Sequence, residues 1–459
     1  MRRSIARNLQ TLLRPGARGG QEEAALLGIG PDGDVTLPEE FDWRDYTIFL
    51  LHVAAEIEHS LMVQYLYAAY SLADDANASK WREIILGIAK EEMGHLITVQ
   101  NILRALGAPI HLEREDYPYR SEFYPFHFRL EPLTRKSLAR YIYAEAPEDA
   151  KWQGAEADQI RALAKGDEPA NVNRVGVLYN ALVKLFEDPN RIRNEEFLAT
   201  TVRYQATWDE YGRGYRAGQR GDQSGANVRN TPDVLIDTVS DRATAVAALK
   251  RIAEQGESPP DAETPKSHFA RFLQIFQELA GAEPPTRPIP KNPTTNDIDV
   301  EGGTPIKNLL SMRWCSLFNL RYRMLLFRLK HAFFVRAGAP TDRPTARGNL
   351  VAWTFAEMYN LRTIAGIVVD LPLEEDADAT ARAGPPFEMP YTLSLPDWDS
   401  DKWRAHRALI ADSRKLIKLL LENNDPQADY LAALDDADKL ADQLVQSLMA
   451  RALEQEARP

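Results

Sequence analysis

This sequence predicts an all-α fold, and three observations carry the prediction. Apolar residues recur at intervals of three and four over long segments. The breaks between those segments collect Pro, Gly, Asp and Asn, residues that cap or stop helices. No run alternates apolar and polar residues as a half-buried strand would.

Taken in order, the first helix is expected over residues 45–72, followed by a turn in which Asp74, Asp75, Asn77 and Ser79 are N-cap candidates. A second runs from Trp81 to Leu106 and is stopped by Gly107 and Pro109. Residues 113–130, aromatic and broken by proline, read as a packed loop. A short helix from Thr134 to Ala146 ends at Pro147, and another spans Asn171 to Glu187. The Gly- and Arg-rich stretch 209–232 reads as loop. Ser240 is a plausible N-cap for a helix reaching Gln255, broken at Gly256. Helices are expected again at 307–337, 350–369, 400–422 and 427–456, with a proline-rich strap or loop at 370–398. The expected organisation is a mobile arm at 1–40, a bundle at 41–282, a linker at 283–306, and a helical C-terminal extension at 307–459 packing on the bundle.

Composition narrows the function. The chain has 459 residues, a net charge of -12, eight histidines and one cysteine, Cys315. One cysteine allows neither an internal disulfide nor a cysteine-based zinc or iron–sulfur site, and it suits a cytoplasmic protein. An acidic chain is poorly suited to holding nucleic acid. No stretch reaches the roughly 18–20 apolar residues of a membrane span. Arg2, Arg3, Arg7, Arg14 and Arg18 make the N-terminus basic without the apolar core of a secretory signal, and it reads as a mobile arm. Metal chemistry, if present, has to use carboxylates and histidines.

The first helix offers one such carboxylate. The helical neighbours of Glu58 are Leu51, Ala54, Ala55, Leu61, Met62 and Tyr65, an apolar stripe where a lone charge costs several kcal/mol unless paired or bound to a cation. Glu56 shares its face with His52, His59 and Ser60, which reads as a wetter edge. On the second helix Glu92 and His95 stand at i and i+3, with Ile85, Ile88, Ala89, Leu96 and Val99 around Glu92. A carboxylate and an imidazole aimed together from an apolar face can bind one metal and leave an oxygen for a second. Four-helix dimetal proteins use this arrangement. Together Glu58, Glu92 and His95 point to a metal site.

The segments EIEHSLMVQYLYAAYS and EEMGHL resemble the ferritin-like superfamily. More closely, they resemble the ferritin-like domain of the iminophenyl-pyruvate dimer synthase family, the violacein and rebeccamycin type. The likeness continues through Tyr143-Ala144-Glu145-Ala146-Pro147-Glu148, the stretch ALKRIAEQGES ending at Ser258, and Ser267-His268-Phe269-Ala270-Arg271-Phe272. Weaker echoes lie between Asn319 and Phe334 and in Ala383–Glu388. The resemblance covers about residues 45–390. It implies a ferritin-like four-helix bundle with additional C-terminal helices and long loops. It also implies a ligand set of Glu58, Glu92, His95, Glu145, Glu257 and His268 around two iron ions, a set that serves manganese equally. Glu92 and Glu257 would bridge the ions. A second Glu-x-x-His is missing, because Glu257 and His268 stand eleven residues apart across Pro259-Pro260; His268 therefore has to come from the start of a new helix. Glu254 competes with Glu257.

The resemblance further implies an enzyme: a non-haem di-iron oxidase or oxygenase that uses dioxygen or peroxide on an amine or imine derived from an amino acid, such as indole-pyruvate imine. Glu92 and Tyr65 are the catalytic candidates. The expected partners are a small-molecule substrate and the oxidant, with neither nucleic acid nor membrane, and with homo-oligomerisation open. Two alternatives stand beside it, a ferritin-like iron-binding or storage protein without an organic substrate and a dimanganese catalase-like enzyme. Arg321, Arg323 and Arg328, set among Leu and Phe, read as helix-edge arginines or as a clamp for a substrate carboxylate.

Overall fold

The computed structural model describes residues 29, 33–116, 125–148, 151–166, 174–211, 234, 236–257, 267–296, 302–337, 345–376, 380–422 and 425–457. The basic arm at 1–20, the aromatic stretch 117–124, the Gly- and Arg-rich residues 212–233 and the Pro259-Pro260 connection lie outside them. The fold is all-α: the described strands are β1 (Pro293–Thr294) and β2 (Thr304–Pro305), a two-residue parallel pair. The chain divides into two units, Met1–Arg287 and Pro288–Pro459, so the division falls inside the stretch read as a linker.

The first unit begins with α1 (Trp43–Ser71). Its N-cap Asp42 accepts a hydrogen bond from the Asp45 amide at 2.8 Å. α2 (Ala76–Ala105) starts five residues earlier than the periodicity suggests. The Asp75 side chain accepts from the Asn77 and Ala78 amides and offsets the weak helix preference of Asn77 and Ser79. A four-residue turn joins the two helices into an antiparallel hairpin, the most extensive helix pair of the unit. α1 is buried on nearly every side from Tyr46 to Ser71, with Leu50, Leu51, Ala54, Val63 and Tyr65 fully enclosed. Each such Leu or Val contributes roughly 1.5–3 kcal/mol by leaving water.

That burial corrects the reading of a wet edge: Glu56, His59 and Ser60 are buried. The segment after α2 covers them. His111 Nε2 lies 2.9 Å from Glu56 Oε1, His59 Nδ1 reaches the Leu112 carbonyl at 2.9 Å, and the Arg129 amide donates to Gln64 Oε1 at 3.2 Å.

α3 (Arg135–Ala144) opens with a capping box between Thr134 and Ser137, and Glu145 is its C-terminal cap. α4 (Ala155–Lys165) was not anticipated, since its buried face holds only Ala157, Ile160 and Ala164. α5 (Val175–Glu187), α6 (Arg242–Glu257) and α7 (His268–Glu278) complete the unit, with short helical turns at Asn194–Glu196, Ala199–Tyr204 and Trp208–Tyr211. Asp241, not Ser240, caps α6 by accepting from the Thr244 amide at 2.8 Å. α5 packs on α6, α7 on α3 and α6, and α1 on α2 and α5, which brings residues from six helices to one interior point.

The second unit contains α8 (Leu309–Ala332), α9 (Ala346–Val368), α10 (Asp399–Leu421) and α11 (Ala428–Glu456). α8 packs on α9 and α10, and α10 packs on α11. Trp314, Phe318, Leu350, Ile364, Ile417 and Leu431 lie in its core. Glu388 accepts from Thr294, Thr295, Asn296 and Asn319, tying the strap after α9 to the β1 segment and to α8. Arg321 and Arg328 are buried and paired with Glu357 and Asp438, so neither is a helix-edge arginine nor open to a substrate carboxylate. Among the described residues no helix is long and apolar enough to cross a membrane.

Candidate metal centre

Midway along α1 and α2 the apolar core gives way to a knot of ionisable groups. Glu58 comes from α1, Glu92 and His95 from α2, Glu145 from the end of α3 and His268 from the first turn of α7; each is at most 4% exposed. Their ligand atoms form two groups that share Glu92: Glu58, Glu92 and His95, and Glu92, Glu145 and His268. Within each group the atoms lie within 4.8 Å of one another. Glu92 Oε2 is 2.8 Å from His95 Nδ1, and Glu92 Oε1 is 3.0 Å from His268 Nδ1. Glu58 Oε2 stands 3.4 Å from His95 Nδ1, and Glu145 Oε2 stands 3.7 Å from His268 Nδ1. The two rings face each other with centroids 5.4 Å apart.

Neighbours hold the outer atom of each group. Tyr179 donates to Glu58 Oε1, and Tyr65 donates to Glu145 Oε1 at 2.7 Å. His95 Nε2 meets Gln255 Oε1 at 2.9 Å, and His268 Nε2 meets Glu91 Oε2 at 2.9 Å. These bonds put the Nε2 protons outward and leave both Nδ1 atoms facing the carboxylates, the tautomer a metal-bound imidazole uses. Inside, Glu58 Oε2, Glu92 Oε1 and His268 Nδ1 are buried and make no well-aligned hydrogen bond among the described residues; they face one another and His95 Nδ1, at 3.0 and 3.4 Å. Three carboxylates meeting two imidazoles in a buried site leave negative charge that a cation would balance. Carboxylate and imidazole donors converging on two points fit two metal ions in the iron or manganese class, and cations would satisfy all three atoms.

A family profile described as ferritin-like matches residues 51–277, the span that contains every one of these donors. Residues 51–277 form a ferritin-like domain. The curated relatives include dichlorochromopyrrolate synthase of Lentzea aerocolonigenes, 26% identical in an alignment 382 positions long that covers 72% of this chain and 35% of that one. They also include 2-imino-3-(indol-3-yl)propanoate dimerase of Chromobacterium violaceum, 31% identical in an alignment 131 positions long that covers 21% of this chain and 13% of that one. The chain thus spans about a third of the length of the first. A crystal structure of a ferritin like protein from Caulobacter vibrioides matches with a TM-score of 0.43 at 18% identity, over 69% of this chain and 95% of that one.

The ferritin-like domain gathers five of the six residues expected as ligands. The sixth, Glu257, is outside both groups but lines the same small cavity, about 10 Å3, with Glu58, Glu92, His95, Glu145 and Tyr179. That is room for about one water-sized sphere. Glu254, its competitor, is exposed. Tyr179, Glu91 and Gln255 were not expected. Glu91 was the most accessible of them from sequence, being adjacent to Glu92, whereas Tyr179 and Gln255 carry no local signal.

Glu257 keeps its place because of a glycine. A Cβ added to Gly176 on α5 would sit 1.3 Å from Glu257 Oε1, so the carboxylate occupies the space where a side chain is missing. Glu257 Oε1 is itself buried without a partner. Gly176→Ala is expected to expel the Glu257 carboxylate while leaving α5 intact, since alanine is the better helix former. Metal affinity should fall about 10-fold, as for loss of an outer-shell partner. The check is a titration of Gly176→Ala, Glu257→Ala and the double variant. The two changes should not add; full additivity would show that Gly176 acts elsewhere.

Without a metal, protons supply the missing positive charge. Burial, then the nearby Glu92, pushes Glu58 up to about 7, and burial pushes Glu257 up to about 7. For His95 burial opposes the charge, but Glu58 and Glu92 outweigh it and raise the imidazole to about 10; His268 is raised well above its usual range by Glu92, Glu145 and Glu91 against the same opposition. All four folded values exceed the ordinary 4.5 for Glu and 6.5 for His. At these four groups the folded metal-free chain binds more protons than the unfolded chain, so their contribution to stability falls as pH rises; His59, His331 and His406, held below their ordinary 6.5 by burial, act in the opposite sense up to about that pH. For the carboxylates the loss runs from 4.5 to about 7, and for His95 from 6.5 to about 10. The Tm of the metal-free protein is expected to fall between about pH 7 and pH 9, above the range in which the lowered histidines oppose it, with a shallower slope in His95→Ala. Ferrous ion should stabilise increasingly over the same range, because binding displaces these protons. A Tm that is flat or rises with pH contradicts this.

Proposed function

We propose that the ferritin-like domain is a non-haem dimetal oxidoreductase, with iron in the two positions and manganese the other metal its donors suit. The carrying observation is the pair of three-residue groups that share Glu92, with their buried carboxylate and imidazole atoms turned inward. Glu58, Glu92 and His95 would hold one ion, and Glu92, Glu145 and His268 the other, with Glu257 at the cavity wall as a further carboxylate. The ions would supply one-electron chemistry towards dioxygen or peroxide.

The chain's own groups prepare that chemistry. Tyr65 and Tyr179 each fix one carboxylate by its outer oxygen, so the inner oxygen stays aimed at the centre. Phe272 and Tyr141 pack edge-on against Tyr65 and keep water from that side. Glu257, pushed up to about 7, is poised to hold or release a proton at Oε1 inside the cavity. The cavity formed by the described residues has room for about one water-sized sphere, not for an aromatic ring. An organic substrate would react from beyond it.

The names of the two curated relatives, a chromopyrrolate-type synthase and an imine dimerase, support an amino-acid-derived imine as that substrate and its oxidative coupling as the reaction. The test is dioxygen uptake by anaerobically iron-loaded protein, with and without the 2-imino acid released from an aromatic amino acid. Uptake that depends on the imine supports the proposal. Uptake that needs only excess ferrous ion, with the iron retained, supports storage instead, and disproportionation of peroxide by the manganese-loaded protein supports a catalase.

A further inference from the structure

The inner donors of the two halves are nearly symmetric. Each has a terminal glutamate fixed by a tyrosine, a share of Glu92 and one histidine Nδ1. The symmetry fails behind the imidazoles. His95 Nε2 donates to the neutral amide oxygen of Gln255 at 2.9 Å. His268 Nε2 donates to a carboxylate oxygen of Glu91 at the same distance, and Arg271 holds that carboxylate in place through both of its terminal nitrogens. An anionic acceptor polarises the N–H more than an amide does, and makes the opposite ring nitrogen the stronger donor.

Two further features follow the same division. Gly256 leaves room for Glu145 Oε2, which would lie 3.1 Å from an added Cβ, and so brings α6 and Glu257 close to the His268 half. The cavity lies against Glu58, Glu92, His95 and Glu145 but not against His268. This water-sized space therefore reaches the His95 imidazole and not the His268 one.

We propose that the two metal positions are built unequally: Glu91 makes the Glu92–Glu145–His268 position the tighter one, and Gln255 leaves the Glu58–Glu92–His95 position weaker and open to the reactant. Glu91 and Gln255 are positioning residues, acting through the imidazoles. This rests on the dimetal reading above.

The test is anaerobic titration of the full-length protein with ferrous ion, comparing wild type, Glu91→Gln, Gln255→Glu, His95→Ala and His268→Ala. Wild type should bind in two resolved steps, with His268→Ala losing the tighter and His95→Ala the weaker. Glu91→Gln should weaken the tighter step about 10-fold or more and spare the other. Gln255→Glu should strengthen the weaker step and draw the two together, a gain that misfolding cannot mimic. Two equal steps in wild type, a Glu91→Gln loss spread over both steps, or no gain from Gln255→Glu would overturn the inference and leave the dimetal reading standing. No binding by wild type overturns both.

Discussion

Glu92→Ala is expected to empty both metal positions at once, the largest single effect the centre allows. The carboxylate spans the two imidazoles, with Oε2 2.8 Å from His95 Nδ1 and Oε1 3.0 Å from His268 Nδ1, and it is the residue common to both groups. Its removal takes one donor from each half and a negative charge from between them. Glu58→Ala or Glu145→Ala should each damage one half only. After anaerobic loading with ferrous ion and desalting, wild type should retain about two equivalents, as dimetal carboxylate bundles do. Glu92→Ala should retain close to none, while Glu58→Ala and Glu145→Ala keep the ion of the intact half. Glu92→Gln separates shape from charge: it preserves the volume, lacks the charge and should also lose both ions. Equal loss in all of these variants, or full loading of Glu92→Ala, would show that Glu92 does not join the two halves.

Much of this centre could be read from the chain because α1 and α2 are long and regular. A carboxylate in an unbroken apolar stripe is conspicuous there, and Glu58, Glu92 and His95 stood out on that ground alone. Glu145 and His268 did not, because they sit at helix ends, one capping α3 and the other opening α7, where there is no face to interrupt. They came only with the family motifs. Tyr179, Glu91 and Gln255 meet their partners across sequence separations of 121, 177 and 160 residues, which no local pattern reports. Gly176 was invisible for a different reason, since its contribution is a missing side chain. The faces of α1 were misjudged at Glu56 and His59 because the covering groups, His111 and the Leu112 carbonyl, lie more than 50 residues further on.

The buried charges of the second unit carry the other large effect, this one on stability. Arg321 is 1% exposed and donates to Glu357 Oε1 at 3.0 Å, to both oxygens of Asp438 at 2.9 and 2.6 Å, and to Ser413 at 2.8 Å. Arg328 shares the same Glu357 oxygen, and Asn360 donates to the other at 3.1 Å. Arg321→Met keeps the volume and removes the cation. Glu357 then still has Arg328 and Asn360, but among the described residues Asp438 is left with the Ser413 hydroxyl alone. An uncompensated carboxylate in a dry core costs about 3–5 kcal/mol, on the order of 10 °C in Tm for a unit of this size. Because the penalty belongs to the stranded charge, adding Asp438→Leu to Arg321→Met should recover a large part of it, and the double variant should be more stable than Arg321→Met alone. Salt should change little, since these groups are shielded from solvent. Calorimetry of the wild type and the three variants decides the matter. A cost below about 1 kcal/mol for Arg321→Met, the range of exposed pairs, or a double variant worse than both singles would mean that the network is not the buried charge cluster its geometry describes.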